Sequence, residues 1–530
     1  MCTLLNSEYS LLESVGKVKQ FYGMDEWVRK NKEIHRKFWE YAHLTGLYEQ
    51  IYKSMTNNKQ IIIKGLLGKK QIDYVELQHK HNRRQEFFTH LYSGEVSMVS
   101  EELHKYTYGE LEQYIDSISP EDAKKTMQNL HKCVCQRISE KDKVSVGFLV
   151  YSSAEWQCDR LYWLLEKDDR FIPVIIICGY GHGTKETIKD TYLRTCQYFI
   201  KSEKPYRIRY GGYMNEMYKD SARDLDILVY ITPFYSLSPD NLNFANRKIC
   251  QLGIHIPYGF YLEDKKVPYY IGNFYEMTIF KMGWKYFAES KIQEDEVKKE
   301  QRLKGYNIVT SGLTKIDDML VRDITGLNSV WKTGINTILK IIWAPHFNMQ
   351  DGMNGTFHEN YKWFYEYAKT HKEISWILRP HPRMEIGIVD KGVFSSIDEY
   401  HKYLESWNAL PNASVVEGGD YYDIFLSSDC MILDSLSFIA EYQYTGKPML
   451  RLLPEKSRLM NKIGDLLNSV IYKARGNDYE SIKGFIDKIA MGQDEMRNIR
   501  AQFFEQNLDY QRINGCLASE MVFRVLRDIL

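Results

Sequence analysis

Short, continuously apolar runs alternate with helix-patterned segments in two successive series, and this restricts the fold more than any other feature of the sequence. The first series opens with Val144–Val150, a polar loop over 152–156, a helical stretch to Leu164 and a second apolar run at Phe171–Cys178. Residues 226–231, 249–259 and Ile308–Thr310 continue it. The second series has apolar runs at 338–343, 375–378, 414–416, 431–433 and 449–452, with helical patterns at 361–370, 421–427 and 438–445. Strands that are apolar on both faces belong to parallel sheets covered by helices on both sides. The spacing therefore predicts an α/β chain of two Rossmann-like domains facing a cleft, preceded by a mainly helical region. At 530 residues the chain is too long for one core. The expected division is a helical N-terminal region over 1–140, a first Rossmann-like domain over 141–330, a second over 331–490 and a helical tail over 491–530 that crosses back to the first.

Charge and cysteine content narrow the setting. There are 70 basic and 70 acidic side chains, which argues against a surface built to trap nucleic acid. Nine cysteines, an odd number without C-x-x-C spacing, fit a reduced, cytoplasmic protein. The first residues lack a basic segment followed by an apolar one, so no signal peptide is expected, and no apolar run is long enough for a membrane helix. The plain reading of the N-terminal region is a helical extension packed on the next domain; the stretch 59–70 mixes lysines with apolar residues, so a contact with a partner or, peripherally, with the inner face of the cell membrane is a further expectation. Within the N-terminal region, Ser119-Pro120-Glu121-Asp122 predicts a helix start, with Ser as N-cap and Pro in the first turn.

The polar signatures cluster at predicted strand ends of the second series. Ala344-Pro345-His346, Arg379-Pro380-His381-Pro382 and Asp434-Ser435-Leu436-Ser437 each follow an apolar strand, and Glu441 lies on the helix after the last. In open α/β sheets ligands bind beyond the carboxyl ends of the strands. Arg379 and His381 offer two cationic or donor groups on a proline-stiffened segment, as a phosphate requires. Ser435 and Ser437 fit an anion site at a helix start, and Glu441 is placed to accept from ribose hydroxyls. Each also has a plainer reading as a cap or a surface residue. His255, at a strand end of the first series, is the candidate general base, and His346 a candidate contact to donor phosphates. No metal-ligand spacing is found: Asp224-Leu225-Asp226 precedes a strand instead of following one. Two successive α/β domains with these motifs in the second suggest a cleft enzyme, an acceptor domain followed by a nucleotide-donor domain.

The order of these motifs resembles the CDP-glycerol glycerophosphotransferase family, the teichoic-acid primases and polymerases of GT-B fold. Residues 251–259 resemble its Gln-x-x-His-Gly element through His255, with Ile256 where the family usually has Gly. Gly312-Leu313-Thr314-Lys315-Ile316-Asp317 is similar to its Gly-x-Pro-Arg-x-Asp element, and Arg379-Pro380-His381-Pro382 to its Arg-x-His-Pro element. Ser428-Asp429, Asp434 to Ser437, Glu441 and Lys447-Pro448 keep the spacing of its Ser-Asp…Thr-Asp-Tyr-Ser-Ser segment.

The resemblance covers roughly residues 144–490. It implies transfer of glycerol phosphate, or a related phospho-alditol, from CDP-glycerol to a hydroxyl of a glycan or lipid-linked acceptor. No cofactor or metal is implied. His255 and His381 would be catalytic; His346, Arg379, Asp434, Ser435, Ser437 and Glu441 would bind the donor; Lys315 and Asp317 would lie on the acceptor side. A nucleotide-sugar glycosyltransferase of the same fold and an inactive scaffold in a glycan-assembly complex are the alternatives.

Overall fold

A computed structural model describes residues 60–62, 71–95, 100–180, 184–213, 220–232, 238–262, 274–325, 330–418, 420–456 and 459–530. Residues 1–59 of the expected helical N-terminal region, and most of the lysine-rich stretch 59–70, lie outside the described residues. The chain divides into two compact units, Met1–Ser93 and Gly94–Leu530. The first contains a short antiparallel hairpin, Gln60–Ile62 with Gln71–Asp73, and the helix Tyr74–Ser93. Both large sheets belong to the second unit.

Helices lead into the first of these sheets. Thr107 and Glu110 form a capping box at the start of helix Tyr108–Ser117. Ser119 caps helix Pro120–Ser139 by accepting from the Asp122 N–H, with Pro120 in its first turn. Ala123, Met127, Leu130, Val134 and Ile138 recur at helical spacing and are buried. Lys281, 3% exposed, ties helix Tyr108–Ser117 to the following sheet through Asp116 at 2.8 Å and Glu112 at 3.1 Å.

The first sheet has seven strands: β1 (Val144–Val150), β2 (Phe171–Cys178), β3 (Ile208–Gly212), β4 (Ile227–Tyr230), β5 (Leu252–His255), β6 (Lys285–Ala288) and β7 (Ile308–Thr310). Every neighbouring pair is parallel, in the spatial order β3-β2-β1-β4-β5-β6-β7. The second has six: β8 (Leu339–Ala344), β9 (Ile374–Leu378), β10 (Ala413–Val415), β11 (Cys430–Leu433), β12 (Met449–Leu453) and β13 (Tyr472–Arg475). Its order is β10-β9-β8-β11-β12-β13, again parallel throughout. Both sheets thus repeat the order of the doubly wound dinucleotide-binding fold, and each reverses direction at one place: between β1 and β4, and between β8 and β11. The architecture is α/β, two Rossmann-like sheets in a GT-B-like arrangement with helices before them.

Burial on both faces explains the uninterrupted apolar strands. All four residues of β4, β5 and β11 are buried. One face of the second sheet carries Trp343 and Trp376, which pack with Trp407 of helix Ile397–Ala409; all three are at most 1% exposed. The Trp343 ring stacks on Phe364 with centroids 4.4 Å apart.

The carboxyl edges of the two sheets meet. Leu262 and Lys315 lie beyond β5 and β7, while Glu441 and Asn461 lie beyond β11 and β12. The Asn461 N–H donates to the Leu262 carbonyl at 3.0 Å, and Lys315 pairs with Glu441 at 2.9 Å. Phe260, Leu262, Leu313 and Ile316 share one apolar cluster with Ile439, Tyr442 and Ile463. The chain then returns: helix Ala518–Arg527 packs on helix Asp159–Glu166, with Arg160 to Glu520 at 3.4 Å and Phe171 against Phe523. Among the described residues no helix is long and apolar enough to cross a membrane.

Gly312, at φ +86°, marks where this return closes on the loop after β7, since a Cβ there would lie 2.7 Å from the Tyr510 Cβ. A side chain is disfavoured by both conformation and space. Gly312→Ala is expected to destabilise the protein by more than about 1 kcal/mol, read as a lower urea midpoint at unchanged slope.

Candidate functional site

The site is built at the reversal point of the second sheet, where β8 and β11 lie side by side. Asp434 follows β11 and is 1% exposed. Its carboxylate accepts from the backbone N–H of His346 at 2.5 Å, the N–H of Thr356 at 2.6 Å and the Thr356 hydroxyl at 2.7 Å. Burial raises its pKa to about 6, and these donors hold it back from rising further. Asp434 therefore fastens the segment after β8 to the end of β11. Close backbone approach completes the fastening. A Cβ on Gly387 would lie 1.8 Å from the Phe347 carbonyl oxygen, and one on Gly355 would lie 2.8 Å from that of His346.

Two histidines stand side by side on this support. The His381 N–H donates to the Pro345 carbonyl at 3.2 Å, which aligns the segments after β8 and β9. The His346 and His381 rings are 5.0 Å apart, and Phe347 lies 4.7 Å and 4.6 Å from them. Each ring accepts at Nδ1 from a backbone N–H two residues on: Asn348 at 3.2 Å and Arg383 at 3.0 Å. An Nδ1 that accepts carries no proton, so the neutral ring bears it on Nε2. The fold thus sets both rings at the strand ends with Nε2 as the protonated nitrogen of the neutral form. Burial, then the nearby Arg383, lowers the His381 pKa to about 4.

A second group forms around Tyr421. Lys315, from the first sheet, pairs with Glu441 at 2.9 Å, and the Tyr421 hydroxyl also donates to Glu441. Lys315 lies 5.5 Å from the Tyr421 ring centre and Arg379 5.0 Å from it. Arg379 also donates to the Gly418 carbonyl at 2.9 Å. Glu441 is 1% exposed, so the Lys315 ammonium is what balances its charge. Ser435 and Ser437 bond to one another at 3.3 Å. Neither caps the helix Ser437–Glu441: its N-cap position is Leu436, and a 3₁₀ turn at Tyr442–Thr445 replaces the helix expected to run to residue 445. Lys447 turns away, donating to the carbonyls of Phe425 and Leu426 at the end of helix Tyr422–Ser427.

The first sheet supplies the remaining expected residues. His255 ends β5, is fully buried, and bonds through Nε2 to the Tyr261 hydroxyl at 3.0 Å. Phe280 and Tyr286 enclose the ring edge-on at 4.8 Å and 5.4 Å. Burial lowers its pKa to about 3, against a hydrogen bond with the Tyr230 backbone. Asp317 is directed at the chain's return, with its two oxygens accepting from the N–H groups of Ala518 at 3.0 Å and Ser519 at 2.6 Å. Burial raises its pKa to about 6. Asp224 is engaged by Arg209, and Asp226 by Ser145 and Lys141. Among the described residues no cluster of three His, Cys, Asp or Glu could hold a metal ion.

The structure thus joins His346, His381 and Asp434 in one group, and Arg379, Lys315 and Glu441 in another; His255 and Asp317 belong to neither. It also adds residues that motif reading misses. Tyr421 centres the second group. Arg451 of β12, paired in register with Leu433, is 1% exposed and makes no ion pair among the described residues; burial lowers its pKa, while Asp434 acts to raise it. The signal for Arg451 was present in the sequence: a single arginine within the apolar run 449–452.

No family model matches the chain, and no curated protein matches it significantly. Several solved structures are similar in architecture. The wall teichoic acid polymerase TagF has 12% identity and a TM-score of 0.47, covering 77% of this chain and 94% of its own. A UDP-GlcNAc 2-epimerase from Neisseria meningitidis bound to UDP-GlcNAc has 14% identity and a TM-score of 0.44, covering 73% and 100%. S. aureus MnaA with UDP has 12% identity and a TM-score of 0.43, covering 67% and 90%.

Two outcomes are expected from this geometry. A lowered histidine pKa means the neutral ring persists into acid. In ¹⁵N-resolved NMR, the His381 and His255 rings should therefore stay neutral from pH 8 down to about 5, and His381 should show an Nε2–H tautomer. The exposed His401, whose pKa is raised by its bond to Glu385, should titrate above them. Lys315→Met should leave the Glu441 carboxylate without its counter-charge and cost about 3 kcal/mol in chemical denaturation; Lys315→Arg should recover most of this loss.

Proposed function

We propose that this chain is a transferase that moves glycerol phosphate, or a related phospho-alditol, from a CDP-activated donor to the hydroxyl of a surface-glycan or lipid-linked acceptor. The observation that carries the reading is the pair of histidine rings, 5.0 Å apart between centres, whose Nδ1 contacts to backbone place the proton of each neutral ring on Nε2 at the reversal point of the second sheet. Such fixed donors suit the oxygens of a diphosphate, because they need no reorganisation as charge develops there. The resemblance of the motif order to the glycerophosphotransferases supports the same assignment.

In this mechanism His346 and His381 donate to the donor's phosphate oxygens, and Arg379 adds positive charge beside them. The hydroxyls of Ser435 and Ser437 exchange their mutual bond for bonds to the same group. Asp434 holds the His346 segment in place. The ribose hydroxyls donate to Glu441, which requires Lys315 to give up part of its contact. The acceptor hydroxyl takes the place of Tyr261 at His255 Nε2. Its oxygen attacks the β-phosphorus, the bond from that phosphorus to the bridging oxygen breaks, and CMP departs with the bond's electrons. The acceptor's proton passes to His255. The pKa of about 3 belongs to the enclosed ring, and an anionic phosphate nearby would raise it. Asp317 serves the acceptor side indirectly, by holding the chain's return beneath the loop that bears Lys315.

The test is donor turnover. With CDP-glycerol and a hydroxylated acceptor, CMP should be released and radiolabelled glycerol phosphate should enter the acceptor. His381→Ala and His255→Ala should each lower the rate by at least about 100-fold, with circular dichroism unchanged. Release of UDP from a UDP-sugar, with CDP-glycerol inert, would replace this reading with that of a glycosyltransferase.

A further inference from the structure

The opposite edge of the first sheet holds a polar cavity that the transfer reaction does not use. Lys285 begins β6 and Asn307 immediately precedes β7, so both lie at the amino ends of their strands. With Trp284 and Tyr306, and with His131 and Lys132 of helix Pro120–Ser139, they line a cavity of about 260 Å³. Amino-terminal sheet edges ordinarily serve stability, because ligands gather at the carboxyl ends.

The lining is cationic and incompletely paired. Neither Lys132 nor Lys285 forms an ion pair among the described residues, and no carboxylate lines the cavity; burial lowers the Lys285 pKa, while Asp528, outside the lining, acts to raise it. The Lys285 ammonium stands 5.3 Å from the centre of the Trp284 ring. Asn307 is 2% exposed; its amide nitrogen donates to the carbonyls of Phe280 at 3.1 Å and Gly283 at 2.7 Å. Among the described residues its Oδ1 is buried without a partner, as is the Tyr306 hydroxyl. Burial raises the Tyr306 pKa, so that hydroxyl remains a donor. His131 faces the Met282 carbonyl at 3.2 Å, and burial lowers its pKa to about 3, so the ring is neutral. Cys135, in the same lining, is pushed by burial up to about 11 and is neutral too.

Two ammonium groups and a phenol call for an anion, while a buried, unsatisfied amide oxygen calls for a donor. We propose that this cavity is a second binding site, for a small anion that itself carries hydroxyl groups: a polyol phosphate or a hydroxycarboxylate. Its volume falls below that of sites for drug-sized ligands, which fits a compact molecule. The anion would lie between Lys132 and Lys285, accept from Tyr306, and donate a hydroxyl to Asn307 Oδ1.

Titration calorimetry on the full chain separates the cases. Glycerol 3-phosphate serves as the phosphate probe and glycerate as the carboxylate probe, with sulfate and glycerol as controls. One probe should bind at one site per chain at least tenfold more tightly than sulfate, and glycerol should not bind. Lys132→Met should weaken that binding at least tenfold; Lys132 is exposed, so this variant tests the site even if Lys285→Met fails to fold. His381→Ala should leave it unchanged, which separates this site from the donor crevice. Binding of neither probe, or equal binding by the wild type and Lys132→Met, would overturn the proposal.

Discussion

The carboxylate of Asp434 is the contact on which the second half of the molecule depends. A buried carboxylate is costly unless every strong acceptor position finds a donor. Asp434 meets that demand with two backbone N–H groups and one hydroxyl, from segments 88 and 78 residues away. In doing so it fixes the path of the chain after β8 and the entry to helix Phe357–Thr370, for which Thr356 is the N-cap position. The absence of a Cβ at Gly355 and Gly387 then lets neighbouring backbone close on the 346–348 segment. The orientation of both histidines follows from this path, because each takes a backbone N–H from its own turn. The strand ends that carry both histidines are therefore held in one arrangement by the protein's own contacts, so a ligand binding there would have little left to order.

The contact between the sheets has a different character. Lys315 reaches from the first sheet to Glu441, the residue proposed above to meet the donor's ribose. The Tyr422 hydroxyl donates to the Lys315 backbone carbonyl, and both Lys315 and Arg379 lie over the Tyr421 ring. Arg379 reads in sequence as a phosphate ligand, yet it donates here to the Gly418 carbonyl. Both cations are thus engaged with protein groups that a charged ligand could replace. Substitution of one charge-assisted contact by another is close to neutral, whereas leaving Glu441 without a partner is not. A donor that arrived between them would exchange partners one by one, and the two sheets would keep their apolar contact through Leu313, Ile316, Ile439 and Ile463 throughout.

Much of this fold was legible because burial on both faces leaves a plain mark on sequence. β1, β2, β8, β9, β11 and β12 coincide with apolar runs to within a residue or so. β3, β6 and β13 carry Arg209, Lys285 and Lys473, and β3 and β13 lie at sheet edges with half-exposed residues, so the period that marks a buried strand is broken. At the site, residue types and spacing were readable but pairing was not. Nothing local in Asp317 points to the first turn of a helix some 200 residues on, and nothing in Glu441 points to Lys315. Helix Ser437–Glu441 ends early because the chain tightens into a 3₁₀ turn and then turns at Gly446, at φ +69°. At its start Leu436 holds the N-cap position, so the capping differs from what Ser435 and Ser437 suggest.

The enclosed His255 ring brings these strands of argument together. In the ligand-free chain its Nε2 is occupied by the Tyr261 hydroxyl, and the surrounding aromatic rings keep it neutral. An incoming hydroxyl that displaced Tyr261 would exchange one neutral hydrogen bond for another, at a net cost of about 1 kcal/mol or less. Proton transfer is a different matter, since a buried imidazolium is strongly disfavoured unless negative charge is near. A diphosphate held by His346, His381 and Arg379 would supply that charge from the opposite sheet. On this reading the base gains its strength only when the donor is bound. The separation of His255 from the donor group then becomes part of the chemistry: each sheet holds an incomplete half of the site, and the diphosphate links them electrostatically.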